Sequence, residues 1–274
     1  MSGKFIDLLL RHPAPLRTVA LGLARRLKLG SYQFHLYYNS LERPHYAYIM
    51  FEGAQLAKKL GLSRISVIEF GVAGGNGLVN MEYHAGMIER ALGVRIDIYG
   101  FDTGEGLPPP QDFRDLPYHW REGFFRMDQA ALRKRLTRSR LVIGNVSRTL
   151  EGFLAEYEPA PIAAISHDFD YFSSTAAALK LFDQPHKYFL PRVFCYFDDT
   201  VGGNVELYND YTGQRGAINE YNRAHDMKKL SVPYYLKARR MQEPWYSQVF
   251  VHHDFEHPQY NQFISETDQQ LKLA

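Results

Sequence analysis

Residues 65–77 read ISVIEFGVAGGNG. The first six are mostly β-branched and apolar, the length and make-up of a buried strand. The next seven hold glycines at 71, 74, 75 and 77, which let a chain turn tightly and bring bare backbone close to a neighbour. The apolar run that follows from Leu78 has helical spacing. A strand, a glycine-rich turn and a helix start is the order in which free N–H groups at a helix N-terminus face a bound group.

Outward from this stretch, strands and helices alternate. Strands are expected at 94–101 (VRIDIYGF), 140–145 (RLVIGN), 161–168 (PIAAISHD) and 192–199 (RVFCYFDD), with two closing strands at 231–239 (SVPYYLKAR) and 246–254 (YSQVFVHHD). Helices are expected from 51 to Gly61, at 76–91, about 127–137, about 147–157, about 174–184 and 213–226. Five strand–helix units followed by a helix and two strands imply an α/β fold, a Rossmann-like doubly wound sheet, mostly parallel with an antiparallel last strand. Residues 1–50, broken by Pro13, Pro15 and Pro44, read as an N-terminal helical extension or cap, and 51–274 as the Rossmann-like domain. The proline-rich run from Gly104 cannot be regular structure. It reads as a lid over 104–125, carrying Tyr118, His119, Trp120, Phe124 and Phe125.

The chain of 274 residues is 45% hydrophobic and has a net charge of +2. Basic and acidic residues are nearly matched, so no nucleic-acid partner is implied. The single cysteine, Cys195, permits no intrachain disulfide, lies in an apolar run and reads as inert packing in a reducing, cytoplasmic setting. No apolar run reaches the ~18 residues of a membrane span. The segment LRTVALGLARRLKLG (16–30) reads as a basic amphipathic helix that packs on the domain, forms a homodimer arm or touches a membrane surface.

In a doubly wound sheet the ligand lies beyond the C-terminal ends of the strands, so the residues there carry the functional reading. After strand one stand Glu69, Gly71 and Gly75. The nicotinamide pattern G-x-G-x-x-G is broken by Ala73 and Asn76, and acid-x-G-x-x-G suits an S-adenosylmethionine loop better, with Glu69 toward the cofactor's cationic amino-acid end. After strand two, Asp102 can accept hydrogen bonds from both ribose hydroxyls or merely cap a turn. After strand three, Asn145 lies on the rim expected beneath a nucleoside base. After strands four and five, neighbours in such a sheet, stand Asp168, Asp170, Asp198 and Asp199. Asp168, Asp198 and Asp199 can converge; carboxylates that close repel one another, and a hard divalent cation such as Mg²⁺ relieves that. His167 is a candidate base, although strand alternation puts it on the face opposite Asp168.

The set EFGVAGGNG, FDTGEGLP, SHDFDYFSST and YFDDT, spread over roughly 65–225, resembles the metal-dependent sugar O-methyltransferases of the macrocin and mycinamicin type, class I S-adenosylmethionine-dependent enzymes. The resemblance implies S-adenosylmethionine at Glu69, Gly71, Gly75 and Asp102, and Mg²⁺ at Asp168, Asp198 and Asp199. Catechol O-methyltransferase is similar in its acidic ligands, but its catalytic lysine would fall near Tyr171 here, so that base is missing. Ala73 and Gly74 stand where the antibiotic enzymes carry larger residues, which leaves the acceptor open. VHHDFEHPQY (251–260) has no counterpart, and its histidines read as surface residues.

The expected reaction is methyl transfer to a hydroxyl of a sugar or glycosylated small molecule, with Asp168, Asp170 or His167 taking the proton. One alternative is a glycosyltransferase using Asp168-Phe169-Asp170 as a metal-holding D-x-D. Another is a non-catalytic protein that binds a nucleoside cofactor.

Overall fold

A computed structural model describes residues 15–27, 29–239 and 242–265; of the side chains at 15–18 and Arg25 nothing is said. The chain order is α1 (Pro15–Arg26), α2 (Tyr32–Tyr37), α3 (Pro44–Lys59), β1 (Arg64–Phe70), α4 (Asn76–Leu92), β2 (Arg95–Asp102), α5 (Gln129–Arg135), β3 (Arg140–Ile143), α6 (Val146–Tyr157), β4 (Ile162–His167), α7 (Phe172–Leu179), β5 (Phe189–Phe197), α8 (Gly213–Ala224), β6 (Lys228–Ser231), α9 (Tyr234–Lys237) and β7 (Val249–Asp254).

The strands form one seven-stranded sheet in the order β3-β2-β1-β4-β5-β7-β6. Pairs among β1 to β5 are parallel, and β7 runs antiparallel to both β5 and β6. Strand order reverses between β1 and β4, so the crevice at their C-terminal ends is where a ligand belongs. Apolar clusters cover both faces. One joins α3 and α4 to the sheet through Ile49, Met50, Met81 and Ile88 against Val67 and Ile96. The other joins α6, α7 and α8 to the sheet through Phe153, Leu179 and Ile218 against Phe70 and Phe197. β1 and β4 are buried at nearly every position, as central parallel strands must be. Cys195 is buried within β5.

Three expectations change. The expected strand SVPYYLKAR is largely not one: Pro233, which has no N–H to give a ladder, caps the short helix α9, and the edge strand β6 lies earlier, at Lys228–Ser231. Pro44 does not break structure. It occupies the first turn of α3, where a fixed φ and a missing N–H are no handicap. The histidines of 251–260 are not all at the surface, since His252 and His257 are buried and His252 stacks on Phe182 at 3.7 Å.

No helix among the described residues is long and apolar enough to cross a membrane. Val19 and Leu23 of α1 are exposed. Lys28 of the expected basic helix lies outside the described residues.

Candidate active site

The glycine loop is built by its neighbours. Gly71 has φ +82°, and a Cβ there would collide with the carbonyl oxygen of Asp168, so only glycine lets β1 and β4 end side by side. Its N–H donates to the Phe101 carbonyl at 2.9 Å. Asp102 then gathers the turn: Oδ2 accepts from the N–H of Val72 at 2.9 Å and of Ala73 at 2.8 Å, and Oδ1 from the N–H of Gly104 at 2.6 Å. A carboxylate has about four acceptor positions, and these three bonds leave room for roughly one more. The expectation of two ribose hydroxyls on Asp102 is thereby narrowed.

Glu69 lies beneath the loop, not on the cavity wall. It is buried, its Oε1 accepts from the Tyr46 hydroxyl at 2.8 Å, and its Oε2 has no partner. Burial pushes its carboxyl up to about 8. Gly77 leaves the space that Oε1 fills, since a Cβ there would overlap it. Gly75 caps α4 and is also off the wall. Outside the loop, Arg135 donates to the Gly74 carbonyl at 3.0 Å and to Asn76 Oδ1 at 2.7 Å.

A cavity of about 320 Å³ opens above these strand ends, lined among others by Gly71, Ala73, Asp102, Asn145, Asp168, Asp170, Asp198 and Asp199. That is the lower end of the range for small-molecule sites. Asn145 is on the wall, although its side chain caps α6 through the N–H of Ser147 at 3.0 Å. From the segment expected as a lid come Leu107, Pro108, Trp120 and Phe125. Tyr118 and Phe124 stay exposed, and the Tyr118 hydroxyl instead donates to the Glu206 carbonyl at 2.6 Å. The lid is anchored by Asp115, a residue that sequence reading passed over. This fully buried carboxylate accepts from the Ser173 N–H and hydroxyl, both at 2.8 Å, at the start of α7. Neither Ser173 nor Ser174 is the N-cap of that helix.

The acidic end is crowded. Asp168, Asp198 and Asp199 each offer a carboxylate oxygen within 4.8 Å of the others. Burial first, then the charges of Asp199 and Asp198, push Asp168 well up. The same causes lift Asp170 to about 9, and burial with Asp198 lifts Asp199 to about 7. The carboxylates of Asp198 and Asp199 are aimed by their neighbours. Tyr196 donates to Asp198 Oδ1 at 2.6 Å, Tyr208 to Asp199 Oδ1 at 3.1 Å, and the Asp170 N–H to Asp199 Oδ2 at 2.9 Å. Asp170 holds φ +60°, a left-handed conformation that Asp tolerates better than most residues. Three converging carboxylates, Asp199 buried and Asp168 and Asp198 half-buried, fit a hard divalent cation, which relieves their mutual repulsion.

His167 is not part of this group. It is fully buried, both ring nitrogens lack partners, and the ring lies parallel to Phe197 at 4.3 Å. Burial lowers it to about 3. A ring sealed on the far side of β4 cannot reach a proton in the cavity, so the candidate base His167 is withdrawn.

The fold is a Rossmann-like α/β fold with a reversed seventh strand, and its cavity joins a glycine loop to an acidic cluster. Among solved structures the chain is similar to CalS11, calicheamicin methyltransferase, at TM-score 0.53 and 21% identity over 89% of this chain and 94% of that one. It is also similar to the O-methyltransferase NovP, at TM-score 0.51 and 15% identity over 76% of this chain and 78% of that one. These likenesses show the fold. No protein-family model matches the sequence. No curated protein matches it either.

Proposed function

We propose that this chain is an S-adenosylmethionine-dependent O-methyltransferase, assisted by Mg²⁺, that acts on a hydroxyl of a sugar or glycosylated small molecule. The observation that carries the reading is that one cavity has the glycine loop with Asp102 on one side and the three aspartates on the other. The loop backbone at Gly71 and Ala73, with one acceptor position left on Asp102, suits a nucleoside. Asp168, Asp198 and Asp199 would hold the cation, whose charge lowers the pKa of a nearby hydroxyl. Asp170 lines the same cavity outside that triad; the charge of a held cation would draw its carboxyl down from about 9, and as a carboxylate it is the group proposed to receive the hydroxyl proton. Trp120, Phe125 and Phe169 line the cavity with aromatic surface, which lowers its polarity and favours a reaction in which opposite charges cancel. Glu69 is proposed to act on the cofactor's amino group indirectly, by backing the loop. The start of α3, ahead of residue 51, is proposed to support the site from behind, since Tyr46 holds Glu69 and His45 stacks on Tyr196 at 4.3 Å; residues 1–14 of the expected extension lie outside the described residues.

The glycosyltransferase alternative fits less well. A nucleotide diphosphate needs cationic neighbours, and no Lys or Arg lines this cavity among the described residues. In addition, the backbone N–H of Asp170 donates to Asp199, which ties the D-x-D into the acidic cluster. Calorimetric titration with S-adenosylmethionine, a UDP-sugar and NAD, each with and without Mg²⁺, separates the readings. Binding of the UDP-sugar without binding of S-adenosylmethionine would sink the methyltransferase.

A further inference from the structure

The β4–β5 ladder ends at the pair His167–Phe197, and the acidic residues lie just beyond it. Gln214, in the first turn of α8, is fully buried at that gap. Its Nε2 donates to the His167 carbonyl at 3.1 Å, and its Oε1 accepts from the Asp199 N–H at 2.8 Å. A side-chain amide thus takes the place of the next backbone rung, spanning the two strands that carry Asp168 and Asp199. Burying an amide is costly unless both ends are bonded, and here both ends bond only to the main chain beside the carboxylates. Asp198 is held from the other side, where Gln248 donates to its carbonyl.

We propose that Gln214 is a positioning residue for the cation site: it sets the separation of Asp168 from Asp199 and thereby the affinity for a divalent ion. This rests on the reading of the three aspartates as cation ligands. Side chains that orient metal ligands commonly change affinity by about 10- to 100-fold when removed.

The test uses Mn²⁺ as the probe, followed by electron paramagnetic resonance on the full chain, with thermal melting and S-adenosylmethionine calorimetry alongside. Gln214→Met keeps the volume and loses both bonds; Gln214→Ala removes the strut altogether. Both variants are expected to weaken Mn²⁺ binding by about tenfold or more, with S-adenosylmethionine affinity within about twofold of the parent protein. If Gln214→Ala fails to melt cooperatively, Gln214→Met decides. A lower melting temperature with unchanged Mn²⁺ affinity would show a purely structural strut and overturn the proposal. Absence of Mn²⁺ binding in the parent protein would instead overturn the cation site itself, and the proposal with it.

Discussion

The two sides of the cavity are finished to different degrees. On the glycine-loop side the protein satisfies itself: Asp102 collects three backbone N–H groups, and Arg135 braces the turn from outside. On the β4–β5 side, tyrosine hydroxyls aim two carboxylates and a glutamine amide braces the main chain beside them, but the acidic groups still face one another. A loop that is preorganised binds without further ordering cost. A cluster of unneutralised acids is complete only with a cation. The difference assigns a rigid cradle to one side and a cation-dependent centre to the other.

The most disruptive change should strike where the two sides touch. Gly71→Ala forces a side chain against the Asp168 carbonyl in a left-handed conformation, and a loss of about 3 kcal/mol or more is expected in urea unfolding. Next, Asp198→Asn should abolish Mg²⁺-dependent turnover while S-adenosylmethionine binding, read by calorimetry, stays unchanged. Full activity would remove the acidic side from the account. Asp102→Ala should do the reverse, weakening S-adenosylmethionine by about tenfold or more through three orphaned N–H groups while sparing Mn²⁺ affinity. Equal losses of both ligands would erase the division.

The smallest effect concerns the support beneath the loop side. Burial alone would raise the Glu82 carboxyl. The Thr137 hydroxyl and the N–H groups of Arg138, Ser139 and Thr137 outweigh that and hold it at about 2, below the usual 4.5. A depressed folded-state pKa stabilises the fold above the unfolded value, and that contribution fades as pH falls from 4.5 toward about 2. Glu82→Gln should therefore flatten the loss of stability in that acid window, by no more than ~1 kcal/mol for so exposed a group. An unaltered acid profile would contradict the assignment.

How much of this was legible follows from where the signals lie. Strands β1 to β5, with the acids and glycines at their ends, were readable because buried parallel strands are continuous apolar runs and their C-terminal residues must share one crevice. The opposite facing of His167 and Asp168 followed from strand alternation. The edge strand β6 was misplaced because KKLS at 228–231 has too little pattern to outbid the tyrosines that follow it. Pro44 was read as a break because a proline that starts a helix and one that stops it look alike without knowing which side is helical. Asp115, Arg135 and Gln214 were invisible for a common reason. Each acts through a long-range bond to main chain, across 58 positions to Ser173, 61 to Gly74 and 47 to His167, and no local spacing encodes such a partner.

The proposed reaction requires one cavity to serve a nucleoside cofactor and a cation together. Calorimetry of S-adenosylmethionine on the parent protein, with and without Mg²⁺ and in competition with a UDP-sugar, tests it most directly. The expected result is saturable one-to-one binding of S-adenosylmethionine that a UDP-sugar does not displace. Binding of the UDP-sugar in its place, dependent on Mg²⁺, would contradict it.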